Sequence, residues 1–242
     1  MIQRESGFTI LETSLVLAVT GLVISIILMS IGTSLNYQRY NDAVAQSVDF
    51  FRGQYTSASS TINNRLETDG CNASGTTTAP DSIPGASDCL LLGKVLRSSD
   101  GKKVTVHQVL ALHDPSTDLN VGSMLDDDIL TQAQLYQGNQ LDPFFTDWGT
   151  RFIVPGSAAD AKFTIMIVRT PVSGTIRTYT SSSDTVSVVD LLNSSISPQD
   201  DRRFCIDTAG LFSVGVKPMG LDISKGASNT TGVRIVAAGE CV

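Results

Sequence analysis

The 242-residue sequence predicts an α+β protein, with one long N-terminal α-helix packed on a C-terminal antiparallel β-sheet head. The helix is membrane-spanning in its first half and amphipathic in its second. Three observations carry this expectation. An uncharged apolar run opens the chain, an apolar stripe at helical spacing continues it, and from Glu67 onward short β-type runs alternate with stretches rich in Gly, Ser, Thr, Asp and Asn. The 17 Lys and Arg against 24 Asp and Glu leave a net charge of −7, the wrong sign for tracking a phosphate backbone, so nucleic acid is not expected as the main ligand.

The apolar run comes first. From Thr13 to Gln38 no residue carries a charge, and Phe8 to Ile31 holds 16 apolar side chains plus Gly21. At about 1.5 Å per residue this segment reaches roughly 36 Å, enough to cross a hydrocarbon core about 30 Å thick with some tilt. A cleaved secretory signal fits poorly, because the run is too long for an h-region and no small-x-small site closes it before Tyr37 and Tyr40. Glu12 stands inside the run, where a carboxylate at the helix centre costs about 2.5 to 3.5 kcal/mol and less near an end. It is either an acid tolerated at the interface or one with a partner.

Beyond Ile31 the composition changes but the period persists. Tyr37, Tyr40, Val44, Val48, Phe51, Tyr55, Ala58 and Ile62 are spaced by 3, 4, 4, 3, 4, 3 and 4, with Arg39, Asp42, Gln46, Asp49 and Gln54 on the opposite face. No proline occurs before Pro80, so one helix from Phe8 to about Ile62 is expected, with Gly21, Gly32 and Gly53 as its weak points. A break near Gly32 is the alternative. The stripe is expected to bury against the chain's own head, while the first half is apolar all round and cannot be covered by one head.

In the head, candidate strands are Val104–Val109, Arg151–Val154, Lys162–Arg169, Thr175–Tyr179, Phe204–Ile206, Leu211–Val216 and Gly232–Ala237. Ser116–Tyr136 reads as helical or irregular, and Asn72–Asp88 as an exposed loop. The four cysteines allow three connectivities. Nearest-neighbour pairing, Cys71 with Cys89 and Cys205 with Cys241, is expected, as in a domain exported to an oxidising compartment. Zinc-type spacing is absent from the sequence, and no metal or cofactor is expected. Asp114, Asp118, Asn120 and Asp126 to Asp128 offer oxygens to calcium, but at spacings unlike an EF-hand, and solvated acidic turns are the plainer reading. His107 and His113 read as ordinary histidines. The sequence contains no Gly-x-Ser-x-Gly, His-Glu-x-x-His or phosphate-loop motif, so no catalytic residue is assigned and an enzyme is not expected.

The residues before and around Glu12 read Gly7-Phe8-Thr9-Ile10-Leu11-Glu12. This resembles the processing site of type IV prepilins and the related pseudopilins: a short polar leader, glycine, phenylalanine, glutamate at the fifth residue after the cut, and an uncharged helix at once. The resemblance is firm over residues 1 to about 40 and rests on architecture beyond that. It implies a leader of residues 1–7, cleavage by a prepilin peptidase between Gly7 and Phe8, and N-methylation of Phe8. It further implies a filament-core helix over 8–31, an amphipathic continuation over 32–65, and a disulfide-stapled head over 66–242.

Glu12 is implied in subunit assembly, facing the N-terminal amine of its own or a neighbouring helix. The leader carries Arg4 but also Glu5, so an orientation with the N-terminus in the cytoplasm rests on the resemblance. The partners implied are the membrane, the assembly platform, other pilins and further copies of the chain. The route runs from a single-pass precursor in the cytoplasmic membrane to an extracellular filament serving adhesion, motility or DNA uptake. The Cys205–Cys241 pair is similar to the C-terminal disulfide-bounded loop of many pilins. Asp147-Trp148-Gly149-Thr150-Arg151-Phe152 resembles a turn of type II secretion pseudopilins, with the tryptophan expected to cap the core. A pseudopilin of a secretion or competence system is therefore the alternative to a pilus subunit.

Overall fold

The computed structural model describes residues 9–60, 89–112, 130, 134–192, 201–208, 210–211 and 217–241. Helix α1 is one unbroken helix of 50 residues, Ile10–Ser59, so no break occurs at Gly32. Thr9 caps it, its Oγ1 accepting from the Glu12 backbone N–H at 3.3 Å. Two antiparallel sheets follow. The first has five strands: β1 (Cys89–Ser98), β2 (Lys103–Leu112), β3 (Gln134–Phe145), β5 (Phe163–Arg169) and β6 (Ile176–Ser181), in the order β3-β2-β1-β5-β6. The second has four: β4 (Arg151–Ile153), β7 (Arg202–Asp207), β8 (Met219–Ile223) and β9 (Val233–Val236), in the order β4-β7-β8-β9.

The predicted stripe is the seam of the molecule. Tyr40, Val44, Val48, Phe51, Tyr55 and Ala58 are buried against Leu96, Phe163, Ile165 and Ile167 of the first sheet and Phe152, Phe204, Ile206, Leu221 and Val233 of the second. Aromatic rings knit the three layers: Phe51 lies 6.0 Å from Phe152 and 6.2 Å from Phe163, and Phe163 lies 4.4 Å from Phe204. Such edge and tilted contacts each add about 0.5–1.5 kcal/mol beyond the area buried. Polar groups pin the register: the Tyr40 hydroxyl donates to the Ile206 carbonyl at 2.8 Å and accepts from the Met219 N–H at 2.6 Å. Tyr55 bonds Thr178 at 2.9 Å, and Arg52 donates to the Val233 carbonyl at 3.1 Å.

The first sheet is covered on both faces, which is why β5 is a near-continuous apolar run. Phe163, Ile165 and Ile167 face α1, while Met166 and Val168 join Leu92, Val95, Val109 and Leu135 under the short helix α2 (Val188–Leu192). Gly93 sits at a bulge in β1 where a Cβ would overlap the Ile167 carbonyl of the adjoining strand. On the outer face of the second sheet Cys205 of β7 is joined to Cys241, with a Cα–Cα distance of 5.7 Å. A Cβ at Gly220, in the neighbouring strand, would come within 2.6 Å of the Cys241 Sγ.

Several expectations need correction. Three strands, β1, β3 and β8, lie where none was expected, and β3 begins at Gln134, inside the stretch read as helical or irregular. Trp148 does not cap the core: it is 51% exposed, in a 3₁₀ turn over Asp147–Gly149 that leads into β4, its ring lying against the exposed Arg39 guanidinium rather than among the buried Phe152, Phe163 and Phe204. The Cys71–Cys89 pairing, the Asn72–Asp88 loop, the acidic positions 114 to 128, His113 and most of the Leu211–Val216 strand fall outside the described residues.

Tyr40 gives this seam a pH dependence. It is 1% exposed, and burial pushes its hydroxyl pKa up from 10 to about 12. Its folded-state pKa thus exceeds the unfolded one. The stabilisation is complete below about pH 10 and is lost as pH rises through about 12, by about 3 kcal/mol at 1.36 kcal/mol per unit. The urea midpoint of the head should fall over this window. Tyr40→Phe should start lower, by about 1–3 kcal/mol for the two backbone groups left unpaired, and then fall less steeply. Equal slopes for the two proteins would rule Tyr40 out as the titrating group.

The disulfide closes a 36-residue separation, for which the loop-entropy model gives about 4 kcal/mol. Cys241→Ser should lower the head's unfolding free energy by up to that amount, read by urea denaturation under non-reducing conditions. Non-reducing peptide mapping should recover Cys205 joined to Cys241.

Candidate functional site

From Thr9 to Leu35 every residue of the chain is exposed, although most side chains there are apolar. Ile10 is 90% exposed and Met29 77%, so neither one face nor one end of this segment is sheltered by the head. The head first touches the helix at Asn36, whose side-chain amide donates to the Leu211 carbonyl at 2.9 Å. A free apolar cylinder of this length is far beyond the patches a soluble monomer tolerates. It is one helix long and apolar enough to span a membrane.

The polar residues in the cylinder are arranged for surroundings without water. Thr13 donates to the Ile10 carbonyl at 2.9 Å, Ser14 to Leu11 at 2.9 Å, Thr20 to Val16 at 2.8 Å, Ser25 to Gly21 at 2.9 Å and Thr33 to Met29 at 3.1 Å. Each hydroxyl is thereby satisfied by its own helix, as hydrocarbon requires. Glu12 differs. Its carboxylate lies in the first turn, where the helix dipole favours an anion, and among the described residues it makes no ion pair. Gly7 and Phe8 lie outside the described residues, so Thr9 to Glu12 are the described part of the Gly7–Glu12 sequence.

At the junction, the Arg39 guanidinium sits 4.9 Å from the centroid of the Trp148 ring. Trp148 has φ 56°, the left-handed region, which a bulky residue enters at a cost of about 1–3 kcal/mol. No motif in the sequence flagged Arg39; its ring partner is separated from it by more than 100 positions.

Elsewhere the polar side chains act as structural ties. Arg151 bridges Asp160 at 2.8 Å and Asp207 at 3.0 Å, and Asp222 of β8, nearly buried, is held by Arg203 and Arg234. Lys94 reaches the last turns of α1, donating to Ser57 at 2.8 Å, and burial lowers its pKa. His107 is half-buried in β2, its pKa lowered mainly by burial. Among the described residues no three His, Cys, Asp or Glu side chains are grouped to hold a metal ion.

A long N-terminal apolar helix, a C-terminal antiparallel sheet region and a disulfide are together compatible with a pilin-like fold. No family model, curated protein or solved structure matches the chain.

Proposed function

We propose that this chain is the structural subunit of a type IV pilus filament. It is inserted as a precursor in the cytoplasmic membrane, trimmed between Gly7 and Phe8, methylated at Phe8, and assembled with other copies or other pilins through helix α1. The observation that carries the reading is the conjunction of the Gly-Phe-Thr-Ile-Leu-Glu motif with a helix that is apolar on every side and bare from Thr9 to Leu35. A filament core supplies what the head does not, an apolar cover around the whole circumference. The Asp147–Gly149 turn leading into β4 favours the second reading, a pseudopilin of a secretion or competence system. Surface fibres that contain this chain support the pilus; a requirement for secretion or uptake without fibres supports the pseudopilus.

Processing is tested by intact mass. The assembled chain should begin at Phe8 and carry one added methyl group; a chain beginning at Met1 contradicts the proposal. Gly7→Val should accumulate as membrane-bound precursor.

Assembly is tested at Glu12. If it is only an interfacial acid, Glu12→Ala should improve the membrane helix with no loss of function. If it pairs with the Phe8 amine of a neighbouring subunit, its removal strands a charge in an apolar core, and breaking such buried pairs costs about 3–5 kcal/mol. Glu12→Ala should therefore insert and be processed, yet be missing from filaments. Thr9 and Glu12 also form a capping-box sequence, in which Gln serves as well as Glu. Glu12→Gln should thus fail to incorporate if charge pairing matters, and should incorporate if the cap alone matters. Incorporation of tagged Glu12→Ala at wild-type levels would defeat the register role.

A further inference from the structure

We propose that Trp148, seated over Arg39, rests the lower rim of the head in the outer headgroup layer of the bilayer while the subunit is still in the membrane. The inference rests on the reading that α1 spans the bilayer with its N-terminus inside.

Axial distance is the first argument. From Ile10 to Arg39 the unbroken helix rises about 44 Å, against a bilayer of about 40–45 Å including both headgroup layers. A span that begins at Ile10 therefore delivers Arg39, the first charged residue after Glu12, to the outer headgroup level. The head begins at that same level, since Asn36 bonds Leu211 and Tyr40 bonds Ile206 and Met219. No linker separates head from membrane.

Chemistry is the second. Trp148 is 51% exposed and Tyr37 52% exposed, and Arg39 lies 4.9 Å from the Trp148 ring centroid. Trp and Tyr favour the membrane interface because a flat apolar body carries a polar edge there, and arginine keeps its stem in the apolar layer and its head among phosphates. The backbone at Trp148 is left-handed, φ 56°, and its side chain is half exposed. In chain terms Asp42 and Asp147 flank the pair, so a zwitterionic surface suits it better than a strongly anionic one.

Area is the third. The half-exposed Trp148 ring offers roughly 100 Å², well short of the ~800 Å² per partner that a stable protein interface buries. The patch suits lipid, not a second protein surface.

The chain has a single tryptophan, so its emission reports this position alone. The full-length chain is reconstituted at low density in phosphatidylcholine vesicles carrying a spin-label quencher either on the headgroup or deep in the acyl chains, and the vesicles are floated. The expected result is co-flotation, with emission quenched more by the headgroup label than by the deep one and shielded from aqueous acrylamide. Co-flotation with no lipid quenching and full acrylamide access overturns the inference and leaves the membrane span standing. Failure to float overturns both. Shielding that appears only as protein density rises identifies a second copy as the cover and overturns the lipid assignment.

Discussion

The burial of Tyr40, Val44, Val48, Phe51 and Tyr55 between the two sheets is the contact on which the remaining structure depends. Each sheet turns apolar residues toward this stripe: Phe163, Ile165 and Ile167 from one, and Phe204, Ile206 and Leu221 from the other. The sheets also meet directly, at Phe163 and Phe204, but without the helix both inner faces would lose the stripe they pack on, so the second half of α1 is part of the core of the head rather than a handle attached to it. Fully burying side chains of this size stabilises by about 1.5–3 kcal/mol each, so no single surface ion pair competes with the seam. Because the same helix continues unbroken to Ile10, head and apolar segment are mechanically one piece.

That continuity places two environments end to end. Up to Leu35 no side chain is buried, and Thr13, Ser14, Thr20, Ser25 and Thr33 are closed onto their own helix; from Asn36 onward Asn36, Tyr40, Arg52 and Tyr55 reach across to the head. The charged residues follow the same division, with Glu12 the exception in the first half. Lys94 ties down the far end: the last turn of α1 contains no basic residue, and Lys94 of β1 donates there to the Ser57 hydroxyl and the Gln54 side-chain carbonyl.

The helix and its stripe were legible in the sequence because periodicity over many turns is a strong signal. Six strands were legible wholly or in part because β-branched and aromatic residues concentrate in them. The three that were missed share a different cause. In β1, Leu90 to Leu92 and Lys94 read as helix formers, and Gly93 as a breaker; the glycine is demanded by the close approach of β5, a long-range fact. In β3, Gly138, Asp142 and Pro143 argue against a central strand, and it proves to be an edge strand, where proline is tolerated. In β8, Gly220 makes room for the disulfide, and Asp222 is neutralised by arginines from β7 and β9. Trp148 departs from the expectation because a lone tryptophan suggests a core plug, whereas its partner here is the Arg39 guanidinium, more than 100 positions away in the chain. The Cys205–Cys241 pairing was legible from spacing, and it is the one cysteine pair the structure describes.

The apolar character of the segment constrains how any assembly through it can be specific. Lipid tails and leucine side chains are about equally apolar, so exchanging a lipid neighbour for a protein neighbour changes the hydrophobic term little, and packing and polar contacts decide the outcome. Leu, Ile and Val dominate the helix from Leu15 to Ile31, a surface that resists being lifted into water, while the small residues Ser14, Ala18, Gly21 and Ser25, at helical spacing, mark the one side on which a neighbour can come close. The hydroxyls of Thr13, Ser14, Thr20, Ser25 and Thr33 add little to this choice, because their protons are already spent within the helix. In the proposed filament, a charged group that cannot satisfy itself locally sets axial register more strongly than close packing alone. Glu12 alone in this segment is charged, and a carboxylate retains acceptor capacity whatever the helix N-terminus offers it. A single well-placed anion can thus fix the offset of helices that the apolar surface merely holds together, as a lone polar residue fixes register in a coiled-coil seam at some expense in stability.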